Sequence, residues 1–562
     1  MYKYLTRQTS SKTTSVGGSE VSFEVLNRDL MARIGKLETK SGAVETPLLL
    51  PVINPNVQTI PPQKLTEKFG CRALITNAYI ILRNFKETAS EQGLHKFLNF
   101  DGSIMTDSGA YQLLIYKGVE TSPKEIVEFQ EAIDTDIATI LDIPTGWGVP
   151  KEYAQYTVKE TIKRAKALEK MKKRDDLAWV GPVQGGQYLD LVAKSAKEMG
   201  KLPFQIYALG SPTPVMEQYK FDTLVDMIVT AKMNLPANRP LHLFGAGHPF
   251  MFALAVALGC DIFDSAAYAL FARQDRYLTA SGTTRLKEMQ YFPCSCPVCN
   301  RTDPETVRGL PKEERLKLLA EHNLHASFRE LRTIKEAIAE GRLWEHMEMR
   351  AHGHPSLLQA LKQVPKYAEQ LEKQSPVTKR SGLFFLSSLG LARPEVVRYR
   401  NRLLDRYSPP PKADVLLLLP QTGTKPFHTS NEHNAVMKAV HQSLGDNADL
   451  IHVCTYTAPF GVVPTELDDV YPISQNEIAS PFDAETLLYV AKQAEDYIKN
   501  TNYRQVILLR EPKVWKGKIV AACRRACKKK QIPFTATQER DPWAKSTAEH
   551  LAAVIQEIVA SH

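Results

Sequence analysis

Three cysteines crowd into six residues of a chain that otherwise uses them sparingly. The stretch "YFPCSCPVCNR" carries Cys294, Cys296 and Cys299 as C-x-C-x2-C, and the whole chain has eight cysteines. Tetrahedral zinc takes four soft or borderline ligands, and a tight thiolate loop supplies three of them from one turn. The fourth must come from elsewhere. "AEHNLH" offers His322 and His325 on the next long helical segment, and His322 is taken as the ligand. A closed Cys3His set leaves no open position for water, so the expected role is structural, one zinc ion pinning that helix to the rest of the fold. The plainer alternative is three reduced cysteines with no metal.

A second set of chemically useful side chains follows apolar runs. Asp107 ends "GSIMTD", Asp142 follows "IATIL", Gln184 follows "LAWVGPV", Gly210 and Ser211 close "PFQIYALGS", and Asp264 follows "CDIF". Turns follow strands, so one or two such polar residues are ordinary. Three carboxylates and a glutamine, each directly after an apolar run, are harder to explain that way. Between the runs lie segments such as "SPKEIVEFQEAI" and "FDTLVDMIVTAKMN", with helical apolar spacing. Alternating strand and helix predicts a parallel sheet. Seven such units between about residues 45 and 270, with an eighth not placed, predict a (β/α)8 barrel. In a barrel the C-terminal strand ends converge on one mouth, where active sites are built. An open doubly wound sheet is the alternative.

The remaining chain sets the context for these residues. At 562 residues it is too long for one core, and 43% hydrophobic with 24% charged residues is ordinary for a globular protein. No apolar run approaches the length of a membrane span, and the first 20 residues read as a flexible polar tail without a signal core. Sparse cysteine use predicts a reducing cytoplasm. Lysine and arginine number 71 against 62 acidic residues, a formal charge of +9 that permits nucleic-acid binding without demanding it. The basic residues cluster in "VKETIKRAKALEKMKKRDD" and "REPKVWKGKIVAACRRACKKK". Either cluster alone reads as a solvated helix face; two together raise the expectation of a phosphate-binding surface. "RYSPPPKAD" breaks the chain, because consecutive prolines favour an extended linker. The expected organisation is a barrel domain over 21–406, with an inserted zinc subdomain and a helical extension, and a smaller α/β domain over 412–562.

In combination and in order, "MTDSGAYQL", "ILDIPT", "PVQGG", "LHLFGAGHP", "FDSAAYALFARQDRYLT" and "YFPCSCPVCNR…HNL" resemble the archaeal tRNA-guanine transglycosylases, over roughly residues 22 to 405. The resemblance implies a (β/α)8 barrel with a zinc subdomain. It implies exchange of guanine 15 in the D-arm of tRNA for 7-cyano-7-deazaguanine, without strand cleavage, on the way to archaeosine. By motif, Asp264 is then the nucleophile and Asp107 the general acid/base, although sequence alone does not fix which aspartate does which. Replacing a base at ribose C1′ with retention takes two displacements, so one carboxylate attacks and another moves protons. Asp142 would accept from the N1–H and N2–H groups of guanine, and Gln184 would bond the opposite edge. The backbone at Gly210 and Ser211 would reach O6 or the 7-substituent, and Tyr111 would stack on the base.

Two features depart from the family pattern. "LGSPTP" places Ser211 and Pro212 where Gly-Val or similar is expected, which bears on selectivity for the 7-substituent. No C-terminal RNA-binding module of the PUA type is visible; the last domain resembles instead the α/β domain that follows the barrel in archaeosine synthases. A PUA module would then be supplied by a separate polypeptide. Family members are commonly dimers through the zinc region, so a homodimer is expected. The rival readings are a DNA 7-deazaguanine transglycosylase and a non-catalytic tRNA-binding paralogue, the second opposed by the intact carboxylate pair.

Overall fold

The computed structural model describes residues 22–110 and 121–560. Eight parallel strands close into a barrel: β4 (Leu48–Ile53), β5 (Ala73–Asn77), β6 (Ser103–Asp107), β7 (Ile137–Thr139), β8 (Ala178–Val183), β9 (Ile206–Leu209), β10 (Leu241–Leu243) and β11 (Ile262–Ser265), with β11 pairing back onto β4. The unplaced eighth unit is β4, whose run "LLLPVI" contains Pro51. A proline inside an apolar run reads as a break, because it cannot donate to a ladder. The open-sheet alternative is excluded by closure.

Side-chain alternation sorts each strand into two faces. Leu50, Ile75, Met105, Val180, Ala208 and Ile262 share one cluster and fill the barrel. Their neighbours Leu49, Trp179, Tyr207, Leu243 and Phe263 pack outward on the surrounding helices. An antiparallel sheet of β1 (Phe23–Asp29), β2 (Ala32–Thr39) and β3 (Gly42–Thr46) precedes β4. Leu37 and Val44 of this sheet join the interior cluster, so the sheet plugs the N-terminal end of the barrel. Only the opposite end, where the strands finish, is left to receive a ligand.

Beyond β11 the chain forms a hairpin, β12 (Arg276–Thr279) and β13 (Gly282–Arg285), then the cysteine loop and a 29-residue helix over Lys312–Glu340. A strand β14 (Leu383–Phe385) follows further helices. The last domain is a five-stranded sheet of β15 (Val415–Pro420), β16 (Ile451–Thr457), β17 (Gly461–Pro464), β19 (Gln505–Leu508) and β20 (Phe534–Ala536), in the order β17-β16-β15-β19-β20, with helices on both faces. β18 (Asn476–Ile478) leaves this sheet to pair with β14. Near that junction Lys379 is buried between Asp29 at 2.6 Å and Glu395 at 2.7 Å, and Arg393 meets Glu345 at 2.8 Å. Buried charges persist only when paired, so these contacts tie the β1–β3 sheet, the helical extension and the region before the linker into fixed register.

Candidate active site

The same alternation that fills the barrel places the polar residues. Asp107 is two residues beyond Met105, Gln184 four beyond Val180, Gly210 two beyond Ala208 and Asp264 two beyond Ile262. All four therefore continue the inward face at the open end. Asp142 arrives from the loop after β7 and is 5% exposed.

Asp107 accepts hydrogen bonds at Oδ2 from Asn77 Nδ2 at 3.0 Å and from the Gly109 N–H at 3.4 Å. Its carboxyl is pushed up to about 7, first by burial and then by the charges of Asp142 and Asp264. A group at about 7 is present in both protonation states at neutral pH, which suits proton transfer in either direction. Asp107 thus feels the charges of both other carboxylates, in keeping with their places at the same open end of the barrel. Asp142 is raised to about 6, by burial, against the opposing hydrogen bond from Gln184.

Gln184 is locked by its neighbours. Its Nε2 donates to Asp142 Oδ2 at 2.5 Å, and its Oε1 accepts from the Thr145 N–H (2.9 Å), the Thr145 hydroxyl (3.0 Å) and the Ser211 hydroxyl (3.1 Å). The amide is thus fixed in one orientation, and it keeps only its second Nε2 proton for a ligand. Ser211 adopts a left-handed backbone with φ 60°, a strained state for a non-glycine residue, and its Oγ also accepts from the Thr145 N–H at 2.9 Å. Gly210 has no room for a side chain: a Cβ there would lie 2.2 Å from Gln184 Nε2. The serine that departs from the expected pattern therefore holds the glutamine.

Asp264 is held by one oxygen only. Its Oδ1 accepts from the Gly245 N–H at 2.8 Å and meets His242 Nε2 at 2.9 Å. Its Oδ2 has no hydrogen-bond partner among the described residues. His242 is fully buried and its Nδ1 has no partner among the described residues, which places the ring proton on Nε2, toward Asp264. The left-handed turn at Gly245, φ 66°, aims its N–H at the carboxylate. One oxygen is fixed by two donors and the other is left to react.

The cysteine cluster also assembles. The ligand atoms of Cys294, Cys296, Cys299 and His322 lie within 4.8 Å of one another. His325 instead packs its ring on Phe69, centroids 4.5 Å apart. His322 Nε2 donates to the Leu278 carbonyl at 2.9 Å, which turns Nδ1 toward the sulfurs, 3.4 Å from Cys299 and 3.6 Å from Cys296. Tyr277 stacks on the ring at 3.5 Å and bonds Cys299 Sγ through its hydroxyl at 3.2 Å. Such outer contacts fix the tautomer a metal requires. Three thiols and one imidazole in this space fit a tetrahedral ion of the zinc type.

Sequence reasoning missed His242, Thr145 and Asn77. A lone histidine inside "RPLHLFGAG" reads as core, and its inward parity shows only once the strand's place in the barrel is known. It also missed Phe244, a partly exposed aromatic packed on top of the barrel interior and 4.5 Å from the His242 ring. Tyr111, the expected stacking residue, lies outside the described residues.

Comparison with known proteins agrees with this geometry. A family model described as Queuine tRNA-ribosyltransferase matches residues 29–356, more than half of the chain, and one described as a domain of unknown function (DUF5591) matches 396–555. A protein of Methanocaldococcus jannaschii named tRNA-guanine(15) transglycosylase is 44% identical over 474 residues, which is 83% of this chain and 70% of the relative. One of the same name from Pyrobaculum aerophilum is 44% identical over 469 residues, 83% of this chain and 92% of the relative. Barrel, motifs and relatives agree, and the chain belongs to the tRNA-guanine transglycosylase family.

Proposed function

We propose that this enzyme exchanges guanine 15 in the D-arm of tRNA for 7-cyano-7-deazaguanine, a step toward archaeosine, through a covalent link between Asp264 and the ribose. The observation that carries the reading is the asymmetry at Asp264: Oδ1 held by two N–H donors, Oδ2 without a partner among the described residues, with an Asp107 carboxyl near 7 at the same mouth. The target nucleotide leaves its stack to reach the mouth. Asp264 Oδ2 attacks C1′ as the bond from C1′ to N9 breaks. Protonated Asp107 delivers its proton to the departing guanine. The resulting Asp107 carboxylate then takes the N9 proton of the incoming base as N9 attacks C1′ and releases Asp264. Asp142 and Gln184 hold the base edge, with the Gly210–Ser211 backbone on its far side, and Phe244 offers a stacking face.

Incubation of the enzyme with radiolabelled guanine and either tRNA or duplex DNA tests this reading. Label is expected in tRNA and not in DNA, and a transcript with guanine 15 replaced by adenine should take up none. Label in DNA alone would support the DNA transglycosylase instead.

Gly210→Ala tests the base seat. Its methyl group must displace Gln184 from Asp142 and Thr145, so KM for the incoming base should rise by about 10- to 100-fold, the cost typical of a misplacement near 1 Å. Metal content should be unchanged. An unaltered KM would remove Gln184 from base recognition.

The metal in this reading is one structural zinc held by Cys294, Cys296, Cys299 and His322. It supplies no chemistry at the mouth. Cys296→Ser should weaken zinc binding by more than the roughly 10- to 100-fold typical of an outer-shell change, and should lower the melting temperature. Elemental analysis of the purified protein decides it; wild type without stoichiometric zinc would contradict the assignment. The same reading divides the chain near 406–412, places the enzyme in the cytoplasm with its tRNA, expects a homodimer, and leaves any PUA-type module to a separate polypeptide. No helix among the described residues is long and apolar enough to cross a membrane.

A further inference from the structure

A cavity of about 470 Å³ lies at the β12–β13 hairpin, with none of the three mouth carboxylates in its lining. Its charged lining is Arg276, Arg285, Lys287, Arg308 and Arg315 against a single carboxylate, Asp275. That carboxylate is already taken, since Arg315 grips it with Nε at 2.7 Å and Nη2 at 3.1 Å. Arg308 is pinned by backbone carbonyls, Met289 at 2.8 Å and Leu286 at 3.2 Å, and so keeps its full charge. Arg285 and Lys287 are exposed and have no ion-pair or hydrogen-bond partner among the described residues.

Two comparisons make this arrangement informative. Arg276 and Arg285 are direct cross-strand partners on the hairpin, a like-charge pairing that destabilises a ribbon. The first basic stretch of the sequence is largely paired. On and just after the helix over Lys151–Met171, Lys163, Arg164, Lys166, Lys172, Lys173 and Arg174 each have a carboxylate partner. Most cations of that cluster are thus paired at the surface, as a solvated helix face would be. The hairpin pocket concentrates uncompensated positive charge instead, in a concave site with preset guanidinium groups.

We infer that this pocket seats a backbone phosphate of the bound nucleic acid. The inference rests on the base-exchange reading and adds a named contact to it. A short helix, Ala267–Arg273, connects the strand bearing Asp264 to the pocket wall. That helix rises only about 10 Å before Gln274 of the pocket lining, so the pocket is within reach of the strand a few nucleotides from a base seated in the mouth. Guanidinium groups match phosphate oxygens in geometry as well as charge.

The test uses the full-length double variant Arg285→Gln/Lys287→Gln, with Lys163→Gln/Lys166→Gln as the control. Affinity for tRNA is measured at several salt concentrations, together with melting temperature, oligomeric state and titration with inorganic phosphate. The double variant should bind tRNA roughly 10-fold more weakly at low salt, with the log–log salt slope reduced by about 1, the signature of one lost phosphate contact. Melting temperature should not fall. The control should match wild type. Wild-type affinity and slope in the double variant, with wild-type protein still exchanging bases in tRNA, would overturn the inference alone. So would loss of inorganic phosphate binding with tRNA affinity intact, which marks a free-anion site, or loss of self-association with tRNA affinity intact, which marks a subunit contact. Wild type that neither binds nor modifies tRNA would overturn the inference and the base-exchange reading together.

Discussion

Asp264→Asn abolishes base exchange, by more than about 10,000-fold, while leaving tRNA affinity within about threefold of wild type. The first effect follows from chemistry, since an amide is a very poor nucleophile. The second follows from the geometry. The carbonyl oxygen of asparagine can still accept from the Gly245 N–H and from His242 Nε2, as Asp264 Oδ1 does at 2.8 and 2.9 Å. The variant should therefore fold and bind normally and fail only in the chemical step. Single-turnover exchange and a filter-binding titration on the same preparation separate the two. Residual exchange at a few per cent of wild type would mean that Asp264 is not the attacking group.

Asp107→Asn slows exchange by roughly 100- to 10,000-fold, the usual range for losing a general acid or base. Its pH behaviour distinguishes it from Asp264. The carboxyl sits near 7, so in wild type the departure of guanine, which needs the proton, should slow as pH rises through about 7. That limb should vanish in Asp107→Asn. The same shift also acts on stability. A carboxyl whose folded value is raised holds its proton in the folded state over the window from about 4 to about 7, where the unfolded chain has lost it. Stability from this site is therefore present below about 4 and is lost as pH climbs toward 7. Asp107→Asn should be more stable than wild type at pH 8, by on the order of 1–3 kcal/mol, and equal to it at pH 4. Thermal melts at both values check this. A variant less stable at pH 8 would show that the carboxylate is held for structure.

What was legible in the sequence follows from these particulars. Asp107, Gln184, Gly210 and Asp264 stand at the C-terminal ends of apolar runs, and a barrel converts that position into a shared mouth. The cysteine spacing was equally direct, although only the fold separates His322, whose Nδ1 faces the sulfurs, from His325, which packs on Phe69. Strands buried on both faces give near-continuous apolar runs, so parity is invisible until the sheet closes. That hid His242, which reads as one polar interruption of a core strand, and it hid β4 behind Pro51. The Gln184–Thr145–Ser211 network joins three loops 27 to 66 residues apart in sequence, so no local pattern announces it. Charge counts do not show pairing: Glu160 and Asp176 partner Lys163, Arg164 and Arg174 from within the same basic stretch, while Glu128 and Glu198 reach Lys173 and Lys166 from other helices.

The covalent role of Asp264 is tested most directly by trapping. Wild-type enzyme is incubated with tRNA in the absence of incoming base, denatured, digested with protease and nuclease, and the ribose-bearing peptide is identified by mass spectrometry. The modified residue should be Asp264, with the adduct lost in Asp264→Asn and still slowly formed in Asp107→Asn. An adduct mapped to Asp107, persisting in Asp264→Asn, would reverse the two roles and contradict the account.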